Sequence, residues 1–170
     1  MKYFLLTFFI TISIYTTAQS PEEVLKKLNI ELPPVVNMTG SFTHGVRVDN
    51  LLFLSGKGPR QPNGDYIKGK VGEDLSMEQG YDAARLVAII QLSVLKKELG
   101  DLKKIKRIVK VNGFVNSAST FYDHTKVING FSDLVVEIFG EKGKHARTAI
   151  GVSALPNNMA VEVEMIVEIE

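Results

Sequence analysis

The clearest pattern in the chain lies near its end. Val161, Val163, Met165, Val167 and Ile169 point one way; Glu162, Glu164, Glu168 and Glu170 point the other. That period of two predicts a strand with one covered face. Arg147 to Ala154 is a short run of small and β-branched residues and predicts the strand before it. Leu155-Pro156-Asn157-Asn158 separates the two, because proline fixes φ and lacks a donor while asparagine tolerates turn geometry. Upstream the spacing changes. From Ser76 to Leu99, Tyr81, Ala84, Ala88, Leu92, Leu95 and Leu99, flanked by Val87, Ile90 and Val94, make a stripe wide enough for a helix to cover a sheet. Ser76 and Gln79 form a capping-box pattern and Gly100 a stop. Phe121 to Phe139 predicts a second helix, with Phe131, Leu134, Val135 and Ile138 at helical spacing and Gly140 after it.

Between the helices, Ile105 to Asn116 predicts a central strand. Phe42 to Val48 and Leu51 to Ser55 predict two more around the turn Asp49-Asn50. Gly56 to Gly64 is a loop, with Asn63-Gly64 as a tight turn before a short strand candidate at Tyr66-Ile67. Ser20 to Leu28 predicts a short helix capped by Ser20, with Pro21 at its first position. The order β-β-(β)-α-β-α-β-β predicts an α+β fold, a mixed sheet with two helices on one face.

Residues 1–18 stand apart from this pattern. A basic start at Lys2, an almost unbroken run of apolar and hydroxyl residues from Tyr3 to Tyr15, and small residues before Gln19 predict a secretory signal peptide cleaved after Ala18. The run is short for a membrane-spanning helix. The reading is therefore a leader over 1–18, an extension with the short helix over 19–39, and one domain over 40–170, exported and periplasmic, with no membrane association after cleavage. Of 20 basic residues only Lys2 lies in the leader, so the mature chain carries 19 against 19 acidic. That balance gives no electrostatic case for nucleic acid. Lys103, Lys104, Lys106, Arg107 and Lys110 cluster, but without interleaved aromatics they read as a solvated edge. No cysteine means no disulfide and no thiolate chemistry.

Candidate chemistry is sparse. His44, His124 and His145 show no metal-ligand spacing, and no nucleophile elbow, phosphate loop or dinucleotide fingerprint occurs. Two charges remain. Arg147 opens one strand and Glu162 lies early in the next. An arginine fork suits a carboxylate, and a glutamate can orient or deprotonate water; the bland alternative is a pair of surface strand charges.

Arg147-Thr148-Ala149, Leu155-Pro156 and Val161-Glu162-Val163-Glu164, together with Phe53-Leu54-Ser55-Gly56 and Gly113-Phe114-Val115, resemble the Rid (reactive intermediate deaminase, YjgF-like) family, formerly called endoribonuclease L-PSP. The resemblance spans roughly Gly40 to Glu170. It implies a chorismate-mutase-like fold and homotrimers with sites in clefts between subunits. It also implies cofactor-free and metal-free hydrolysis of small 2-imino or 2-enamino acids to 2-keto acids and ammonia. By the same resemblance Arg147 holds the substrate carboxylate and Glu162 places the attacking water, while Phe42, Ser55, Gly56 and Ala149 line the pocket. Two positions depart from the family pattern. Phe42 stands where a tyrosine is common, and Ala149 where a cysteine is. For an asparagine in the family's second helix, Asn129 is the candidate. A different class of function, a non-catalytic trimer binding a small carboxylate, uses the same arginine. Ribonuclease activity ranks last, since neither a basic groove nor a histidine pair is visible.

Overall fold

The computed structural model describes residues 19–170; the predicted leader lies outside the described residues. Helix α1 (Pro21–Lys27) opens with the Ser20–Glu23 capping box. Strands β1 (Gly45–Val48) and β2 (Leu51–Lys57) form the hairpin, turning at Asp49, whose φ is 51°. Helix α2 (Met77–Leu99) begins on the Ser76–Gln79 capping box and ends on Gly100 in the left-handed region. Strand β3 (Ile105–Asn116), helix α3 (His124–Phe139), strand β4 (Ala146–Val152) and strand β5 (Val161–Ile169) complete the chain. The sheet order is β1-β2-β5-β3-β4, with β3 and β4 parallel and the other pairs antiparallel. Among the described residues no helix is long and apolar enough to cross a membrane.

Helices α2 and α3 pack on each other and over one face of the sheet. Beneath them the odd residues of β5, from Val161 to Ile169, are buried with Ile108, Val111 and Val115 of β3. This is the covered face that the alternation predicted. Helix α1 is a third, small helix at the end of the layer. It buries Leu25, and its Glu22 accepts from the Lys96 ammonium at 2.7 Å and the Leu102 amide at 3.0 Å.

Some predicted elements begin or end elsewhere. The first strand starts at Gly45, three residues after Phe42, whose ring is 61% exposed. Tyr66-Ile67 contributes an isolated bridge rather than a strand. The second helix starts at His124 instead of Phe121, because the Phe121 amide closes a turn on the Ala118 carbonyl at 3.0 Å. β4 ends at Val152, two residues short of Ala154. In the basic cluster Lys103, Lys104, Lys106 and Arg107 are exposed, while Lys110 is half-buried and donates to the Thr148 hydroxyl at 3.0 Å.

Candidate functional site

The two faces of the sheet decide where the chemistry sits. Residues paired across neighbouring strands share a face. Arg147 pairs with Val111, which pairs with the buried Met165, so Arg147 lies on the helix-covered face. There its Nη1 donates to Asn129 Oδ1 at 2.9 Å and to Ser132 Oγ at 3.0 Å, both on α3. Asn129 and Ser132 are three apart on the helix and so face the same way. Among the described residues Nε and Nη2 have no protein acceptor. That leaves one edge of the fork, with two parallel N–H groups, open to a carboxylate. Ala149 lies two residues further along β4 on the same face, paired with Gly113.

Ser132 also meets His145. The hydroxyl lies 3.0 Å from His145 Nε2, and His145 Nδ1 is 2.6 Å from the Gly143 carbonyl. Burial, helped by the Arg147 charge and opposed by the Gly143 bond, holds this imidazole below the ordinary histidine range.

Glu162 belongs to the other face. It pairs with Phe114, which pairs with the exposed Ile150. Gly56 packs directly on its side chain, so that a Cβ there would run into Glu162 Oε1 and the carboxyl carbon. Burial and the neighbouring Glu164 raise the Glu162 carboxyl above the ordinary carboxylate range, against the pull of Lys57. Lys57 in turn is held below the usual ammonium range by burial, partly restored by Glu162. A carboxyl raised in this way is a better proton acceptor than a free one. Ser55 sits at the bulge between Leu54 and Lys57. Its hydroxyl donates to the Thr43 carbonyl at 2.6 Å, and its own carbonyl accepts from Gln91 Nε2 at 3.1 Å.

Within one chain the predicted residues thus form two groups. Arg147 and Ala149 lie under α3; Glu162, Gly56 and Ser55 lie around the β2 bulge. Arg147 and Glu162 face opposite ways, and Phe42 stands apart on the surface. Sequence reasoning missed Ser132, Lys57 and the pairing of His145 with the site. A signal was present: Asn129 and Ser132 are polar residues at i, i+3 beside the otherwise apolar Val127, Ile128 and Phe131.

A cleft of about 500 Å³ lies at the carboxyl ends of β3 and β4. Lys70, Ser117, Phe121, His124 and Gly151 are among the residues that line it, and none of the predicted site residues does. Ser117 Oγ and His124 Nε2 lie 3.0 Å apart in it, but among the described residues no carboxylate orients the other ring nitrogen, so the pair is not a triad. Among the described residues no three of His, Asp and Glu converge as metal ligands.

Comparison with known proteins agrees with the architecture. Residues 22–169 match the family model described as "YjgF/chorismate_mutase-like, putative endoribonuclease". The chain belongs to this family. It is 40% identical over 146 residues to protein TCP17 of Trypanosoma cruzi, covering 85% of this chain and 91% of that one. It is 27% identical over 142 residues to the 2-iminobutanoate/2-iminopropanoate deaminase of Dermatophagoides farinae, covering 83% and 95%. Among solved structures, a "putative endoribonuclease" from Shewanella oneidensis superposes with a TM-score of 0.85 at 32% identity, covering 89% of this chain and 100% of that one. The protein Atu1372 of unknown function from Agrobacterium tumefaciens gives 0.82 at 39% identity, covering 88% and 94%. The mixed five-stranded sheet of this YjgF/Rid protein is therefore the family's chorismate-mutase-like fold.

Proposed function

We propose that the protein is an exported hydrolase of small 2-imino or 2-enamino acids, working as a homotrimer without a cofactor. The open edge of the Arg147 fork is the observation that carries this reading. It would take the substrate carboxylate in a bidentate pair while Asn129 and Ser132 hold the other side of the guanidinium. Glu162, with its raised carboxyl, would accept a proton from water as the oxygen bonds to the imine carbon. The protonated Glu162 would return that proton to the carbinolamine nitrogen. As the C–N bond breaks, the hydroxyl becomes the carbonyl of a 2-keto acid and its proton is lost to the departing ammonia. Glu162 is left as the carboxylate again. An iminium carbon is already electrophilic, so orientation and one proton transfer suffice. A relative named as a 2-iminobutanoate/2-iminopropanoate deaminase supports the same chemistry. The opposite facing of Arg147 and Glu162 supports a site completed by a second copy. The uncovered sheet face, where Val46, Phe53 and Ile150 are exposed by 55%, 40% and 44%, supports burial against other copies.

The test measures ammonia release from imino acids generated in place by an amino-acid oxidase. It uses protein recovered from the periplasmic fraction, whose first residue by mass spectrometry should be Gln19. Arg147→Ala is expected to lose turnover at least ~100-fold and Arg147→Lys at least ~10-fold, since a point charge cannot replace the fork. A folded wild type inert toward small and aromatic imines, yet binding pyruvate, would replace hydrolysis by simple carboxylate binding. A precursor retained in the cytoplasm would remove export from the reading.

A further inference from the structure

We propose that His145 is a positioning residue for Arg147, acting through Ser132 as the end of a one-way hydrogen-bond relay. The proposal rests on Arg147 being the carboxylate site. Its direction is fixed at both ends. A guanidinium can only donate, so at 3.0 Å Ser132 Oγ accepts from Arg147 Nη1. A backbone carbonyl can only accept, so at 2.6 Å the Gly143 oxygen accepts a hydrogen bond from His145 Nδ1–H. The neutral imidazole then leaves Nε2 as an acceptor, and the Ser132 hydroxyl, 3.0 Å away, donates to it. Every group makes the bond its chemistry allows, and the ring has one tautomer that satisfies all three.

Without the imidazole the Ser132 proton has no fixed partner. The hydroxyl can then rotate and direct that proton, instead of a lone pair, toward Arg147. The relay therefore keeps the Nη1 side of the guanidinium occupied by oxygen acceptors and its Nε–Nη2 edge turned outward. The groups around His145 oppose a second proton on its ring. Arg147 is the charge that faces it; Ser132 and Gly143 are uncharged. On the same elements, Lys144 and Glu141 pair with each other at 2.6 Å, and Asp133 accepts from Tyr81 at 3.0 Å.

Two measurements test this on the mature chain. Nitrogen NMR of the imidazole in the free protein should show the proton on Nδ1 and Nε2 as acceptor, whether or not any ligand binds. Pyruvate, a stable 2-keto acid, is then titrated into wild type, Ser132→Ala, His145→Ala, the double variant and His145→Gln. Each single alanine variant should weaken binding about tenfold, the order carried by one hydrogen bond to a charged group. The double variant should be no weaker than Ser132→Ala, because His145 acts only through that hydroxyl. His145→Gln, whose amide oxygen can accept the same proton, should bind within about twofold of wild type. An Nε2–H tautomer, or additive losses in the double variant, would overturn the relay. Failure of wild type itself to bind pyruvate would instead overturn Arg147 as the carboxylate site, and the relay's role with it.

Discussion

Burial changes the proton affinity of single residues in this chain, and Glu162 and His145 show the effect with opposite signs. The Glu162 carboxyl is raised by burial and by Glu164, so the folded chain holds its proton more tightly than the unfolded chain does. Its contribution to stability is therefore largest at low pH and is lost as pH rises through the raised value. Glu162→Gln removes that loss. Its melting temperature should exceed wild type near pH 8 by no more than about 2 °C, since solvent screening of this half-buried carboxyl keeps the gain under ~1 kcal/mol. The difference should vanish below about pH 4, where the wild-type carboxyl is protonated in both states. A variant that melts no higher than wild type at pH 8 would show that Lys57 compensates the charge fully. His145 tilts the other way. Its imidazole is lowered by burial first and by Arg147, so it costs stability as pH falls below the ordinary histidine range, where the unfolded chain takes up the proton first. A site that gains stability by losing its glutamate is one where stability has been exchanged for function.

At the scale of elements, the site depends on how closely α3 lies against α2. Gly130 is the contact point. A Cβ there would meet the Tyr81 backbone, with the Arg85 nitrogen 3.1 Å away, and backbone cannot rotate aside as a side chain can. Gly130→Ala should therefore destabilise by about 2–3 kcal/mol in urea and shift Asn129 and Ser132 relative to Arg147. Gly100→Ala is the contrast. It has open space around it but a φ of 77°, and should cost about 1 kcal/mol through backbone strain alone. Equal losses in the two variants would argue against close helix packing at Gly130. The elements themselves were legible because their signals are local. The Ser76–Gln79 box, the Gly100 stop and the alternation of β5 each reside in a few neighbouring residues. The start of α3 was misread because Phe121 and Tyr122 continue its apolar pattern, although a turn occupies them. The site was harder. Arg147 and Glu162 could be named from a motif, but their opposite faces follow from pairing with Val111 and Phe114, and register between strands far apart in the chain leaves no local mark. Gln91 is a similar case. It sits on the apolar stripe of α2, yet is fully buried and ties Ser55 and Val163 with its amide.

For the whole molecule the question is whether one copy can work alone. The arginine lies beneath α3 and the glutamate on the bare face, where Val46, Phe53, Phe114, Ile150 and Ile166 form an apolar band broken by Glu162 and Glu164. If three copies cover that face in a ring, every site can take Arg147 from one copy and Glu162 from the next, since a closed head-to-tail ring repeats one contact three times. Each variant alone, Arg147→Ala or Glu162→Gln, then lacks one half of every site. Mixed by unfolding and refolding together in equal amounts, they should recover activity. A site needs its arginine from a Glu162→Gln copy and its glutamate from an Arg147→Ala copy, so random assembly restores about one site in four. Ammonia release at about a quarter of the wild-type rate is the expected result, from particles that light scattering sizes as trimers. Phe53→Lys, placed in the band and away from both charges, should lower the mass toward the monomer and abolish activity together. If the mixture stays as inactive as its parts while trimers form, Arg147 and Glu162 are not two halves of one site shared between copies, and the divided site is overturned. A single copy does not offer the alternative, because the five-stranded sheet lies between the two residues and keeps them from one substrate.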